Sequence, residues 1–253
     1  MKKRILGLVL VVCVTLLTAS CAGFSPKSAG YDAMKQAVEQ FNARSDAAVQ
    51  LEVGMEIDVM GSSISLPISV EYKGKDRKSE TPLSYAKMTY SLLGQTVVNE
   101  IYEYDGYTYT VAPTGNTKAP TVGSVSVFGT LADSLLQLDA EAVNKQGFTA
   151  KGNTLTLEMK VPEAEALNVF TSAINSTSSV TDATASSTTV SNGSVAVTLK
   201  DGELESFTFR FDMDAEVAGA KTTYHMTYTA RCSAPGETVA VTLPEGCENF
   251  KST

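Results

Sequence analysis

"SFTFRFDMDAEV", residues 206–217, is the stretch that decides the fold. Apolar side chains occupy every second position, and polar side chains occupy the positions between them. A period of two residues is typical of a β-strand with one buried face and one solvated face. The sequence therefore predicts a long strand whose apolar face is covered by another element. The predicted inward side chains are Phe207, Phe209, Phe211, Met213, Ala215 and Val217.

The same alternation recurs along much of the chain. It covers residues 49–59, 64–72, 86–92 and 96–112 and returns after residue 195. Asp-Gly pairs at 105–106 and 201–202 suit the primed turns that close two-residue hairpins. The pattern predicts roughly nine to eleven strands joined in hairpin order.

Three segments have the helical spacing of apolar residues instead, near 31–44, 129–139 and 162–175. These amphipathic helices are the available cover for a sheet with one apolar face. A sheet of this many strands curls as its twist accumulates. We therefore expect a mainly β (α+β) domain over residues 31–250, a curved antiparallel half-barrel with helices packed on its concave face.

The N-terminus predicts export. Lys2, Lys3 and Arg4 precede an apolar run over residues 5–17, which is too short to span a membrane comfortably and is typical of a signal peptide. Small residues and Cys21 follow, and this arrangement resembles the lipobox of bacterial lipoproteins. We expect residues 1–20 to be removed, Cys21 to carry a lipid anchor and residues 21–30 to form a tether. The alternative is an ordinary secreted protein with an incidental cysteine.

That interpretation implies a location on the outer face of the cytoplasmic membrane, or on an envelope membrane facing the periplasm. Cys232 and Cys247 would then meet an oxidising compartment, where such a pair can form a disulfide. Two free thiols are the alternative, since many Gram-positive bacteria make few disulfides. The disulfide is the favoured prediction.

Charge and composition argue against several classes of function. The net charge of −8 is opposite to what nucleic acid or a polybasic membrane patch requires. The single histidine, His225, alternates onto a polar strand face, away from any sheltered pocket. Asp212, Asp214 and Glu216 share that face in a straight row, which suits solvation better than Ca²⁺. We predict no enzyme activity, no catalytic residue, no metal and no cofactor.

Tyrosines flank the Asp105-Gly106 turn and allow two interpretations. At this spacing they are first of all good strand formers. The alternative is a rim of amphipathic rings beside a hydrophobic cleft. The four residues are Tyr102, Tyr104, Tyr107 and Tyr109.

The order of elements resembles a known superfamily. An N-terminal helix, long strands interrupted by short helices and a closing meander behind a lipobox are similar to the LolA, LolB and LppX group of lipoprotein-localisation proteins. The resemblance covers about residues 31–245 and matches no individual binding residue. It implies an acyl chain or lipid bound between the half-barrel and its helices.

The inward side chains supply the candidate ligand contacts, because methionine adapts to varied apolar shapes. A ligand-free envelope scaffold or sensor partner remains the alternative, since the same side chains serve a closed core equally well. The candidates are Met55, Met88, Phe207, Phe209, Phe211, Met213 and Met226.

Overall fold

The protein is described by a computed structural model. The description covers residues 30–59, 62–92, 94–121, 132–163, 165, 169, 188–217 and 220–252. Within these residues the strands are β1 (Ala47–Val59), β2 (Ser62–Lys75), β3 (Leu83–Leu92), β4 (Gln95–Tyr104), β5 (Tyr107–Val111), β6 (Thr117–Pro120), β7 (Thr149–Lys151), β8 (Thr154–Lys160), β9 (Thr188–Lys200), β10 (Glu203–Val217), β11 (Ala220–Cys232) and β12 (Lys251–Ser252). The helices are α1 (Tyr31–Ala43) and α2 (Ala140–Gln146), with 3₁₀ helices at Ser134–Gln137 and Cys247–Asn249.

The described strands form one open sheet in the order β12-β6-β5-β4-β3-β2-β1-β11-β10-β9-β8-β7. Two meanders, β1 to β6 and β7 to β11, meet where β1 pairs with β11. Neighbouring strands are antiparallel except β12 and β6, which are parallel. A mainly β fold built on one long sheet, as the alternation predicts, is confirmed.

Turn chemistry explains why the meanders close where they do. The pairs Asp105-Gly106 and Asp201-Gly202 both have positive φ at each residue, between 49° and 83°. These are the values that primed two-residue turns need, and Asp and Gly are among the few residues that adopt them at low cost. The turns join β4 to β5 and β9 to β10, as predicted.

The core lies on one face of the sheet, which we call the inner face. On β10 the side chains of Phe207, Phe209 and Phe211 are buried and lie opposite Ala230, Tyr228 and Met226 of β11. Met213 is only half-buried, and the side chain of Val217 lies outside the description. The alternation over residues 207–215 therefore places this strand's apolar side in the core.

Helix α1 packs against the inner face. Its stripe of Met34, Ala37, Val38 and Phe41 is fully buried and belongs to the same cluster as the phenylalanines of β10. The helix end is tied to the sheet by Arg44, which donates to a carboxylate oxygen of Glu203 at 2.7 Å and to the carbonyl of Ser233 at 2.5 Å.

The second predicted helix, 129–139, needs correction. The described part is helical at Ala132 and Asp133 and then forms the 3₁₀ helix, while residues 129–131 lie outside the description. Leu138 is extended, and the Asp139 side chain accepts from the N–H of Ala142 at 2.7 Å, so a new helix, α2, begins there. An aspartate at this position favours a helix start over continuation of the preceding one.

The third predicted helix, 162–175, lies mostly outside the described residues. Glu163, Glu165 and Val169 are helical, and Val169 is buried in the core. Among the described residues, none of the helices combines the length and the hydropathy that crossing a membrane requires.

The sheet also buries aromatic rings on its other, outer face. Tyr85 lies opposite Tyr102, and Tyr102 lies opposite Tyr109, on the side away from Ala86 and the core. The rings of Tyr85 and Tyr102 are 4.9 Å apart, and Phe250 packs edge-on against Tyr109 at 6.4 Å. These tyrosines therefore cannot form a rim on the inner face, because the register of β3, β4 and β5 points them to the opposite side.

The structure also corrects the predicted disulfide. Cys232 and Cys247 are both free thiols. Cys232 ends β11, whereas Cys247 lies four residues before β12, and six strands separate β11 from β12 in the sheet order. Each step between strands is about 4.8 Å, far too much in total for a bond that needs its Cα atoms within about 7 Å.

Candidate binding surface on the inner face of the sheet

The predicted contact residues all lie on the inner face, but they divide into two groups. Phe207, Phe209, Phe211 and Met226 are at most 4% exposed. The rings of Phe207 and Phe209 are 5.6 Å apart, and Phe211 stacks on Tyr228 at 5.9 Å. This group is packed interior, and a ligand could reach it only by displacing core side chains.

The second group is half-buried. Met55, Met88 and Met213 lie at the edge of the core, packed against it but only partly covered. Met55 lies opposite Met226 of β11, and Met88 lies opposite Val70 of β2. These methionines mark the boundary between the closed core and a more open part of the inner face.

We call this more open part the open stretch. It crosses β1 to β4, where inward apolar side chains face each other in register: Ile57 with Ile64, Met55 with Leu66, Ile68 with Tyr90, and Tyr90 with Val97. Ile64 is 52% exposed and Ile101 is 38% exposed, and the others are half-buried. The open stretch comprises Met55, Ile57, Ile64, Leu66, Ile68, Met88, Tyr90, Val97 and Ile101.

Two cavities of the structure lie away from the phenylalanines. One of about 420 Å³ lies over β8 to β10 and is lined by polar side chains including Glu158, Lys160 and Arg210. The other, of about 320 Å³, lies at the ends of β3 and β4 beside Ser84 and Glu103. None of the seven predicted contact residues lines either cavity. Neither cavity is therefore the cleft that was expected between the phenylalanines and the methionines.

The second cavity is lined mainly by charged and polar residue types, and some of these side chains are partly desolvated. Ser84 donates from Oγ to Oε2 of Glu103 at 3.1 Å. Burial raises the pKa of Glu103, although the Ser84 hydrogen bond lowers it in part. Arg77 also lines the cavity, and burial together with the nearby charge of Arg44 lowers its pKa. A carboxylate and a guanidinium thus share a small cavity in which neither is fully hydrated.

On the outer face, His225 bridges three strands. Its Nδ1 lies 2.7 Å from Oδ1 of Asp212 on β10, and its Nε2 lies 3.2 Å from Oδ2 of Asp58 on β1. Both carboxylates can only accept, so the geometry favours the protonated ring, in which both nitrogens donate. The hydrogen bonds to Asp212 and Asp58 raise the pKa of His225 accordingly.

Asp212 is held as an anion within the same arrangement. Burial raises its pKa, but hydrogen bonds from Asn192 and His225 outweigh that effect and lower the pKa on balance. Among the described residues, no group of three or more His, Cys, Asp or Glu side chains is placed to hold a metal ion. The arrangement ties β1, β11 and β10 together and presents no unoccupied imidazole nitrogen to a substrate.

Comparisons with known proteins give a likeness of fold at low similarity. No family model matches the chain, and no curated protein matches it either. Among solved structures, LprF from Mycobacterium bovis is 11% identical, with a TM-score of 0.43 over 85% of this chain and 96% of its own. A LolA superfamily protein from Nitrosomonas europaea is 12% identical, with a TM-score of 0.25 over 86% of this chain and 96% of its own.

A DUF1329 family protein from Desulfovibrio piger is 13% identical, with a TM-score of 0.25 over 84% of this chain and 95% of its own. One of these solved structures is a member of the LolA superfamily, the group that the order of elements resembles. Every one of these TM-scores is below 0.5, so the proposals below rest on this chain's own residues.

The most exposed side chains of the inner face are not distinguished by the sequence pattern. Ile57 and Ile64 continue the alternation of β1 and β2, but nothing in the sequence marks them as less covered than the phenylalanines, and the face of Ile101 follows only from the register of β4 with β3. The lengths of the predicted helix and strands do indicate that part of the inner face is left uncovered. A 13-residue helix such as α1 is about 20 Å long, whereas the 13-residue strand β1 is about 43 Å long. One such helix cannot cover the whole of the strand.

Proposed function

We propose that this chain is an exported lipoprotein, anchored through Cys21, whose single domain binds one acyl chain of a lipid on the open stretch. In this proposal the sheet is a half-barrel with α1 on its concave face, and the acyl chain extends the layer that α1 begins. The observation that carries the proposal is the row of half-buried apolar side chains, from Met55 to Ile101, beside a closed core.

The size of the surface sets the expected strength of binding. Each buried methylene contributes about 0.8 kcal/mol, so the roughly 14 methylenes of a 16-carbon chain give up to about 11 kcal/mol before the cost of association is subtracted. That cost is at least about 4 kcal/mol. The net of at most about 7 kcal/mol corresponds to a dissociation constant of about 10 μM or weaker. A chain of about 6 carbons gives only about 3 kcal/mol, which is less than the cost, so we expect no measurable binding.

Titration of the protein with fluorescent fatty acids of increasing chain length tests this proposal. The double variant Ile64→Ala/Ile101→Ala shortens a side chain at each end of the open stretch, so that an acyl chain bound at either end loses one contact. It is expected to bind about tenfold more weakly, which corresponds to about 1.4 kcal/mol of lost apolar contact. Both side chains are more than a third exposed, so the variant keeps its stability within about 1 kcal/mol. Ser65→Ala is the matched control, because Ser65 neighbours Ile64 and is exposed on the opposite face of β2.

A ligand-free scaffold is the second candidate, and one observation favours it. The phenylalanine layer of β10 is fully closed, and the two cavities lie elsewhere. The absence of saturable binding by the wild type at every chain length, in protein that is folded, would support the scaffold over the acyl-binding module.

The anchor is tested separately, since residues 1–29 lie outside the described part of the chain. Metabolic labelling with a clickable fatty acid is expected to label the protein, and Cys21→Ala is expected to abolish the label and release the protein from the membrane fraction. An unlabelled wild-type protein would instead support the ordinary secreted alternative.

A further inference from the structure

The polar cavity beside Glu103 adjoins the open stretch. Ser84 and Glu103 lie opposite each other on β3 and β4, and the next inward pair along the same two strands is Ala86 and Ile101. Inward side chains two residues apart are separated by about 7 Å along a strand. The inward side chains therefore change from apolar, at Ala86 and Ile101, to polar, at Ser84 and Glu103, over about 7 Å.

The charges around the cavity have both signs. Glu103 supplies a half-buried carboxylate, and Arg77 and Lys78 supply cations. Glu80 and Asp105 add exposed carboxylates to the lining. A ligand group that carries both an ammonium and an anion can form ion pairs with side chains of both signs. A purely anionic group would leave the Glu103 carboxylate without a cation and would be repelled by it.

The volume fits a group of this size. At about 320 Å³ the cavity is at the lower end of the range of small-molecule sites, roughly 300–1,000 Å³. Burial of a charged group is costly unless it is paired. An ammonium beside the Glu103 carboxylate would offset the free-energy cost of its partial burial.

We propose that this cavity holds the zwitterionic headgroup of a phospholipid whose acyl chain lies on the open stretch, with the ammonium facing Glu103 and the phosphate facing Arg77 and Lys78. This inference rests on the proposed function and names the class of its ligand. It assigns Glu103 as the residue that selects the headgroup, while Ile101 and Met88 contact the chain.

Photo-crosslinking of the full chain in membrane vesicles tests the assignment. Three probes share one acyl chain with a photoactivatable group: a phosphoethanolamine lysolipid, a phosphoglycerol lysolipid and a fatty alcohol. Mass spectrometry of the digested protein then measures labelling of the segment that contains Met88 and Ile101. We expect the phosphoethanolamine probe to label this segment several-fold more than either other probe.

Glu103→Gln is expected to remove that preference and to leave labelling by the fatty alcohol unchanged. Glu52→Gln is the matched control, since Glu52 is exposed on the outer face of β1. If Glu103→Gln fails to fold, as shown by hydrogen exchange, Lys78→Gln provides the second variant, because Lys78 is exposed and lines the cavity. It is expected to lower labelling by both phospholipid probes and not by the alcohol.

The outcomes separate the two proposals. Equal labelling of the segment by all three probes would overturn the headgroup assignment and leave acyl-chain binding in place. The absence of labelling there by every probe would contradict both proposals. Displacement of the phosphoethanolamine probe by a similar concentration of soluble phosphoethanolamine would show that the cavity takes a free small molecule rather than a lipid headgroup.

Discussion

Replacement of Phe209 by alanine separates a core residue from a binding residue. The Phe209 side chain is completely buried, its ring lies 5.6 Å from that of Phe207, and its backbone neighbours are Tyr228 and Val195. Truncation of a fully buried phenylalanine costs about 3–5 kcal/mol. For a domain of about 200 residues this corresponds to a fall in Tm of about 6–20 °C. The cost is a large part of the 5–15 kcal/mol that stabilises a typical protein.

Urea unfolding followed by far-UV circular dichroism measures this cost, since the chain has no tryptophan to report by fluorescence. Ile64→Ala is the matched comparison, because its side chain is 52% exposed on the same face and its loss is expected to cost less than about 1 kcal/mol. A Phe209→Ala cost no larger than that of Ile64→Ala would refute the division of the inner face into a closed core and an open stretch.

Three further predictions follow from other parts of the structure. Because its hydrogen bond to Asp212 raises the pKa of His225, the stability that His225 contributes is fully present below about pH 6.5 and is lost as the pH rises through the raised value. The difference in stability between wild type and His225→Gln, measured by thermal melts across that range, is expected to stay below about 1 kcal/mol because the side chain is 42% exposed. Iodoacetamide is expected to modify Cys247 much faster than Cys232, since burial raises the pKa of Cys232 to about 12. If neither cysteine reacts in non-reduced protein, the two are joined in a disulfide and the assignment of free thiols is wrong. Asp139→Ala is expected to destabilise the protein by about 1 kcal/mol through loss of the α2 cap, as urea unfolding would show, and an unchanged midpoint would contradict the capping role.

Local patterns predicted the parts of the fold that local chemistry decides. The alternation over residues 207–215 identified a core strand, because a strand's two faces differ at every step. The Asp-Gly pairs identified two hairpin turns, because few other residues adopt positive φ at low cost. Helix α1 followed from the spacing of Met34, Val38 and Phe41.

Features that depend on distant strands could not be read in this way. The tyrosines of β4 and β5 have the right spacing for either face, and only their register with Tyr85 of β3 places them on the outer one. The disulfide prediction failed because sequence separation between Cys232 and Cys247 says nothing about the six strands between β11 and β12. The polar cavity needed the pairing of Ser84 with Glu103 across two strands.

The predicted contact residues show the same limit. The alternation marked phenylalanine and methionine alike as inward, but the degree of cover depends on what packs over each part of the sheet. Phe207, Phe209 and Phe211 lie in the closed core, while Met55 and Met88 lie at its edge. The difference between a core side chain and a surface that binds is thus a matter of tertiary packing rather than of residue type.

Native mass spectrometry of the protein purified from its own host tests the central claim most directly. We predict that one acyl-bearing lipid molecule co-purifies with each protein molecule. This lipid is expected in the wild type and in Ser65→Ala and is expected to be strongly reduced in the folded Ile64→Ala/Ile101→Ala variant. Protein that is free of lipid in repeated preparations, or lipid that remains bound equally in the double variant, would contradict an acyl-binding surface on the open stretch.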